Sequence, residues 1–193
     1  MIEQPETRQL ILRAAEELFM RYGYASVSMR RLVEEITRHR KLTKPAIYYY
    51  YSGKEGLYVA VLLDVAARQG RQLRAASGAA AELRARLVGL AEVLARLDPE
   101  SLTRMRLDIE QHLGAEARTV LRQAFQREIL GPVLDVFEQA SQEGRLRPNV
   151  SSALAAAAFL GLVGSLAARA RYETGANTAE VVADLLLRGV ARP

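Results

Sequence analysis

The amino-acid sequence predicts an all-α fold, and three observations support this prediction. Apolar residues recur at helical spacing along most of the 193 residues, and no segment alternates apolar and polar side chains over the length of a strand. The chain is 50% hydrophobic and 25% charged, which are proportions of a folded globular protein. Glycine and proline separate the periodic stretches from one another. We therefore expect about nine helices.

The first three helices are each marked by a local signal. The first helix covers about residues 6–21 and ends near Gly23, because glycine commonly terminates helices. The Ser28 hydroxyl is placed to cap the second helix. Thr43 can cap a short third helix that has Pro45 in its first turn, where the missing N–H does no harm. Three short helices in this order predict a helix-turn-helix domain over residues 1–52.

The remaining helices form a larger C-terminal domain over residues 53–193. The fourth helix begins at Gly53, and the expected ranges are 53–77, 80–97, 100–113, 116–142, 150–172 and 177–190. Gly131-Pro132 lies within the seventh helix. Because proline removes a backbone hydrogen bond and clashes with the preceding turn, we expect this helix to be bent there.

The positive charge of the chain is local. Residues 30–54 carry seven basic and two acidic side chains, a net charge of +5. This is the formal net charge of the whole protein. The other residues carry equal numbers of basic and acidic side chains. Such a segment can be a solvated surface, but it also suits a polyanion such as nucleic acid.

Several function classes are excluded by what the sequence lacks. It has no cysteine, and its histidines, His39 and His112, are too few for a histidine metal cluster. The nucleophile-elbow, Walker, dinucleotide-binding and zinc-protease motifs of common enzymes are all missing. We expect no cofactor and no metal. A helical enzyme and a purely architectural DNA-binding protein without an effector stay open as alternatives.

The apolar segments predict no membrane association. The longest apolar run covers residues 153–168 and is interrupted by Ser165, whereas a spanning helix needs about 20 apolar residues. The polar N-terminus has no secretory signal. The sequence therefore predicts a cytoplasmic protein.

Three sequence segments resemble the DNA-binding domain of TetR-family transcriptional repressors. They are ILRAAEELF from Ile11, Tyr22-Gly23-Tyr24 and TKPAIYYYYSGKEGL from Thr43, and the resemblance extends over residues 7–63. It implies a ligand-responsive repressor that binds a palindromic duplex-DNA operator as a homodimer. One departure is clear, since eight residues without glycine separate Val33 from Leu42, where the family has a shorter turn with a glycine. We expect a lengthened second helix or a protruding basic loop.

The roles of individual residues follow from helix geometry and from the resemblance. Ile47 and Tyr51 lie four residues apart and should share a buried face with Phe19, Leu32 and Leu42. The rest of the third helix is then left for a major groove, while basic side chains and helix N-termini contact phosphates. The tyrosine run has a simpler interpretation as a half-buried aromatic cluster. The candidate DNA-binding residues are Ser28, Arg30, Arg38, Arg40, Thr43, Lys44, Pro45, Ala46, Tyr48, Tyr49, Tyr50 and Lys54.

The last two helices are the candidate dimer interface. Small residues on the eighth helix allow close helix approach, and the resemblance implies a four-helix interface with apolar residues of the ninth helix. The alternative is packing within one subunit. The residues concerned are Ala153, Ala157, Gly161, Gly164, Ala168, Val181, Val182, Leu185 and Leu186.

The middle helices are expected to enclose a mainly apolar effector pocket. On the sixth helix an apolar stripe has His112 at its margin, whereas Arg104 and Asp108 point the other way and should form an exposed pair. A solid core made of the same side chains is the alternative. The candidate ligand-binding residues are Leu62, Val65, Leu94, Met105, Ile109, His112, Phe125 and Ile129.

Overall fold

The computed structural model describes residues 5–40, 43–51, 53–170 and 178–190, and within these ranges it is helical and has no β-strand. The helices are α1 (Pro5–Tyr22), α2 (Met29–Arg40), α3 (Lys44–Tyr50), α4 (Lys54–Gly78), α5 (Leu83–Ala95), α6 (Pro99–His112), α7 (Ala115–Phe125), a π turn (Gln126–Leu130), α8 (Gly131–Gln142), α9 (Ser152–Ala170) and α10 (Thr178–Val190). Counting α7, the π turn and α8 as one interrupted helix gives nine in the described ranges. The all-α class is therefore confirmed. No described helix combines the length and hydropathy needed to cross a bilayer.

The described chain divides into two compact units. The first contains the residues up to Val65 together with Thr103–Gln123, so α7 residues and much of α6 join the N-terminal helices in one unit. Its core includes three aromatic rings, since the Phe19 and Tyr24 rings each lie 4.8 Å from the Tyr58 ring between centroids. Offset and edge contacts of this kind stabilise a core beyond the area they bury. They fix the end of α1 against the start of α4.

The second unit contains Ala66–Leu102 and the residues from Ala124 onward. Helix α10 packs on α5 and α9, and α8 packs on α9. Phe137 and Phe159 are fully buried at the contact of α8 with α9, with ring centroids 6.0 Å apart. The second unit is thus a helical bundle with its own apolar core.

The expected bend at Gly131-Pro132 takes the form of a π turn. The Gly131 N–H donates to the carbonyl oxygen of Gln126, five residues back, where an α-helix would use the residue four back. Pro132 has no N–H to give to the Glu128 carbonyl, and its ring would clash with that carbonyl in a regular helix. The helix predicted over 116–142 is therefore present, and a π turn at Gln126–Leu130 interrupts it directly before the predicted bend.

The π turn brings Glu128 against α4. The Glu128 residue is only 9% exposed, and its carboxylate accepts hydrogen bonds from Arg74 at 2.6 Å and Arg127 at 2.9 Å. These two hydrogen bonds lower the pKa of Glu128. A β-carbon at Gly70 would lie 2.9 Å from the Glu128 carbonyl oxygen. Only glycine leaves room for this approach.

We expect Gly70→Ala to destabilise the protein by about 1–3 kcal/mol, because the added methyl meets backbone that cannot rotate away. The matched control is Gly56→Ala on the same helix, where no atom lies within 4 Å of the new methyl. There the better helix propensity of alanine should stabilise by up to about 1 kcal/mol. The check is the midpoint of thermal unfolding by circular dichroism. Two variants with equally raised midpoints would show that α4 is not pressed against the π turn.

Candidate nucleic-acid interface

Helix α3 is held by one buried face and capped at its start. Ile47 is fully buried and Tyr51 is 7% exposed, in the cluster that contains Phe19 and Leu32. Their predicted burial is confirmed, whereas Leu42 lies outside the described residues. The Thr43 hydroxyl accepts a hydrogen bond from the Ala46 N–H at 3.3 Å, so the cap also forms as predicted. This anchoring fixes which side chains α3 shows to solvent.

The solvent-exposed face of α3 carries Lys44, Pro45, Tyr48 and Tyr49, and the two tyrosines are 49% and 63% exposed. Ala46 and Tyr50 are half-buried beside it. Large exposed aromatic side chains leave apolar surface in contact with water, which is unfavourable. We therefore expect a partner to cover them. The tyrosine run is therefore divided, with Tyr51 in the core and Tyr48 and Tyr49 outside it.

Helix α2 is extended and supplies basic side chains. It continues to Arg40, so the lengthened helix is found in place of a loop, while the Arg40 side chain and Lys41 lie outside the described part. The Ser28 hydroxyl caps it by accepting from the Arg31 N–H at 3.2 Å. Its exposed guanidiniums pair within the helix, Arg30 with Glu34 at 3.2 Å and Arg38 with Glu35 at 3.1 Å. Exposed ion pairs are weak, so phosphates can compete for both arginines.

Lys54, predicted to bind a phosphate, has an intramolecular partner. Its ammonium donates a hydrogen bond to the Tyr24 carbonyl oxygen at 3.0 Å and lies 3.9 Å from the centroid of the Tyr24 ring. Burial lowers the pKa of Lys54, and the Asp108 carboxylate opposes this shift. An ammonium has three donors. The carbonyl uses one of them, and a phosphate contact is still chemically available.

Two features of this surface were not predicted from the sequence. The Arg31 guanidinium lies over the Tyr22 ring at 4.5 Å, with Arg21 on the same ring at 5.3 Å. Asp108 is half-buried and accepts a hydrogen bond from the Tyr24 N–H at 3.0 Å. Its interpretation as part of an exposed pair with Arg104 is therefore wrong. No local sequence pattern could indicate a contact between residues 84 positions apart.

The residues predicted for the dimer interface are divided between surface and core. On α9, Ala153, Ala157, Gly161 and Gly164 are exposed, and no atom lies within 4 Å of a β-carbon placed at either glycine. The Ala168 side chain lies outside the described part. Exposed on α10 are Val181 at 38% and Leu185 at 53%. Val182 and Leu186 are buried in the core of their own unit.

The residues predicted to bind an effector are distributed over both units. Leu62 is buried in the first unit, where Val65, Met105 and Ile109 pack against the same core. The His112 ring stacks on Tyr24 with centroids 5.6 Å apart. In the second unit, Leu94 and Ile129 belong to the core and Phe125 is 50% exposed.

Comparison with known proteins agrees with this geometry. Residues 11–61 match the model of bacterial regulatory proteins of the tetR family. The chain is 28% identical over 144 residues to the HTH-type transcriptional repressor AcnR of Corynebacterium diphtheriae, covering 74% of this chain and 70% of that protein.

Solved structures share the fold along nearly the whole chain. A structure described as a putative TetR-family transcriptional regulator from Vibrio parahaemolyticus superposes with a TM-score of 0.77 at 22% identity, covering 96% of this chain and 99% of its own. AibR in complex with isovaleryl coenzyme A and operator DNA superposes with a TM-score of 0.62 at 23% identity, covering 94% and 96%. The matched domain carries the capped, exposed α3. Residues 11–61 thus match the DNA-binding domain of the tetR family, and the whole chain has the fold of TetR-family structures.

Proposed function

We propose that the protein acts as a homodimeric repressor that binds an operator with two inverted half-sites and is released by a small, mainly apolar effector. Residues 1–52 would bind DNA, and residues 53–193 would dimerise and bind the effector. The observation that carries the proposal is the exposed face of α3. Its lysine and two tyrosines point to solvent, while the isoleucine on the opposite face is buried.

The side chains of α3 suit the edges of bases in a major groove. The Lys44 ammonium can donate to guanine acceptors, and the apolar surfaces of Pro45 and Tyr49 can meet a thymine methyl group. The groups around this face suit phosphates, namely the cap of α2 at Ser28 and the exposed Arg30. Base contacts and phosphate contacts are thus offered side by side.

The exposed faces of α9 and α10 support dimerisation through these helices. Exposed leucines, Leu154 at 58% and Leu185 at 53%, accompany the small residues on this surface. Helices that present glycine and alanine approach closely, and burial of leucine then adds hydrophobic free energy. To contact two half-sites one turn of DNA apart, such a dimer must hold its two copies of α3 about 34–36 Å apart.

One structural neighbour supports an effector of acyl character. AibR was crystallised with isovaleryl coenzyme A and operator DNA. In the first unit the candidate residues Leu62, Val65, Met105 and Ile109 are all apolar, and Met105 is adaptable enough to fit ligands of different shape. The test is a panel of apolar acids, aromatic compounds and short acyl thioesters, measured by thermal unfolding and by operator release. A panel in which no compound shifts either quantity would contradict an apolar effector.

Selection from random duplex DNA tests the operator. Full-length protein should recover an inverted repeat whose half-sites are centred about 10 base pairs apart, or a multiple of this spacing. Recovery of a consensus without two-fold symmetry would contradict the dimeric reading of DNA.

We further expect that Arg38→Ala with Arg40→Ala weakens binding to all DNA sequences by a similar factor. These residues lie near the end of α2 and outside α3, the helix proposed to contact the bases. They are therefore suited to phosphates. Each lost phosphate contact should flatten the slope of log affinity against log salt concentration by about 0.9. The control is Arg71→Ala with Arg96→Ala, two exposed arginines of the second unit. A changed consensus sequence with an unchanged salt slope would contradict this prediction.

A further inference from the structure

Side chains of α6 contact the turn between α1 and α2. The Asp108 carboxylate accepts a hydrogen bond from the Tyr24 N–H at 3.0 Å. The Arg104 guanidinium donates to the Met20 carbonyl oxygen at 3.4 Å. All of these residues belong to the first compact unit. Asp108 itself lies outside residues 11–61, which match the family's DNA-binding domain.

The contacted turn has a conformation that needs support. Gly23 has a φ of +76° and its N–H donates to the Phe19 carbonyl oxygen at 2.8 Å, which ends α1. The Val27 N–H then donates to the Tyr24 carbonyl oxygen at 3.3 Å, one residue before the cap of α2. Because Tyr24 lies between these two bonds, its peptide groups set the direction in which the chain leaves α1 and enters α2.

Both peptide groups of Tyr24 are held from outside the turn. Asp108 holds its N–H, and the Lys54 ammonium donates to its carbonyl oxygen at 3.0 Å. The two restraining groups have opposite charges. A hydrogen bond to a charged group is stronger than one between neutral groups, so these contacts limit rotation of Tyr24 more than a neutral turn would.

We propose that Asp108 is a positioning residue for operator binding. By fixing Tyr24, Asp108 fixes where α2 begins. Because α3 packs on α2, the positions of both Ser28 and α3 on the DNA then depend on Asp108. A small rotation of the turn would leave the domain folded but would misalign α3 with the groove. The inference rests on the proposed operator binding, and it assigns Asp108 no contact of its own with DNA.

The experiment compares Asp108→Ala with Asp108→Asn in the full-length protein. Asparagine keeps an oxygen that can accept from the Tyr24 N–H, whereas alanine does not. Glu110→Gln removes one negative charge from an exposed site on the same helix, so it reports how charge alone changes affinity. Affinities for the selected operator and for unrelated DNA are measured at one salt concentration.

For Asp108→Ala we expect the ratio of operator affinity to unrelated-DNA affinity to fall on the order of tenfold. A change of this size corresponds to the loss of one hydrogen bond to a charged group. Asp108→Asn, which keeps a weaker neutral hydrogen bond, should lower the ratio by a clearly smaller factor, and Glu110→Gln should keep the wild-type ratio. An unchanged ratio in the alanine variant, or an asparagine variant as impaired as the alanine variant, would overturn the proposal.

Hydrogen exchange of the Tyr24 amide gives a second measurement that does not require the alanine variant to fold. The amide should exchange slowly in the wild-type protein and in Asp108→Asn. Rapid exchange in the folded wild-type protein would overturn the proposal. If the wild-type protein selects no operator at all, the proposed repressor function fails before the role of Asp108 is reached.

Discussion

Replacing Lys44 and Tyr49 together with alanine should weaken operator binding by about a hundredfold or more, since each good base contact contributes about 1–3 kcal/mol. Tyr49 is 63% exposed and Lys44 is also exposed, so neither truncation opens a cavity in the core. The loss should therefore appear in operator affinity and not in the thermal unfolding midpoint. Fluorescence anisotropy with the selected operator and with an unrelated duplex measures both the loss of affinity and the loss of discrimination.

The matched control is Tyr51→Phe. This ring follows in the same tyrosine run but is buried, and burial raises the pKa of its hydroxyl, so the neutral form is maintained. Removal of that hydroxyl should leave operator affinity unchanged. If the double alanine variant bound the operator as tightly as the wild-type protein, α3 would not be the helix that contacts the bases.

Gly164→Leu should convert the proposed dimer into monomers and reduce operator affinity by at least about a hundredfold, because linked half-site binding then becomes two independent events. The glycine is exposed on α9 with no atom within 4 Å of a built β-carbon, so the leucine fits within one subunit. Between two closely packed helices the same side chain would hold the backbones apart. Sedimentation velocity and operator titration provide the measurements.

Gly78→Leu is the matched control, since this glycine also has no atom within 4 Å of a built β-carbon but ends α4. It should sediment as the wild-type protein does. A Gly164→Leu protein that remains a stable dimer would show that the subunits associate through another surface.

Local signals in the sequence were sufficient for the helices of the DNA-binding domain. The hydroxyls of Ser28 and Thr43 act within three residues of their own position, and the burial of Ile47 and Tyr51 follows from helical periodicity. Each of these interactions is decided by neighbours along the chain. For this reason the bounds of α1 to α4 agree with the sequence expectation to within a few residues.

Interactions between distant segments were not accessible in the same way. Val182 and Leu186 were predicted for the dimer interface, but their burial depends on where α5 and α9 pack against α10. The partner of Asp108 is a backbone N–H. Every residue except proline has this group, so the sequence does not indicate which one is the partner. Gly131-Pro132 indicated where the seventh helix is interrupted. It did not indicate that the interruption would be a π turn over 126–130.

The π turn also has a consequence for sequence comparison. A π turn contains one residue more than the α-helical turn it replaces, so the five residues Gln126–Leu130 correspond to an ordinary helical turn with a single-codon insertion. A homologue without that codon would align with a one-residue gap in the middle of a continuous helix, although gaps are normally assigned to loops. The gap should coincide with loss of the proline at position 132 and with tolerance of a larger residue at position 70.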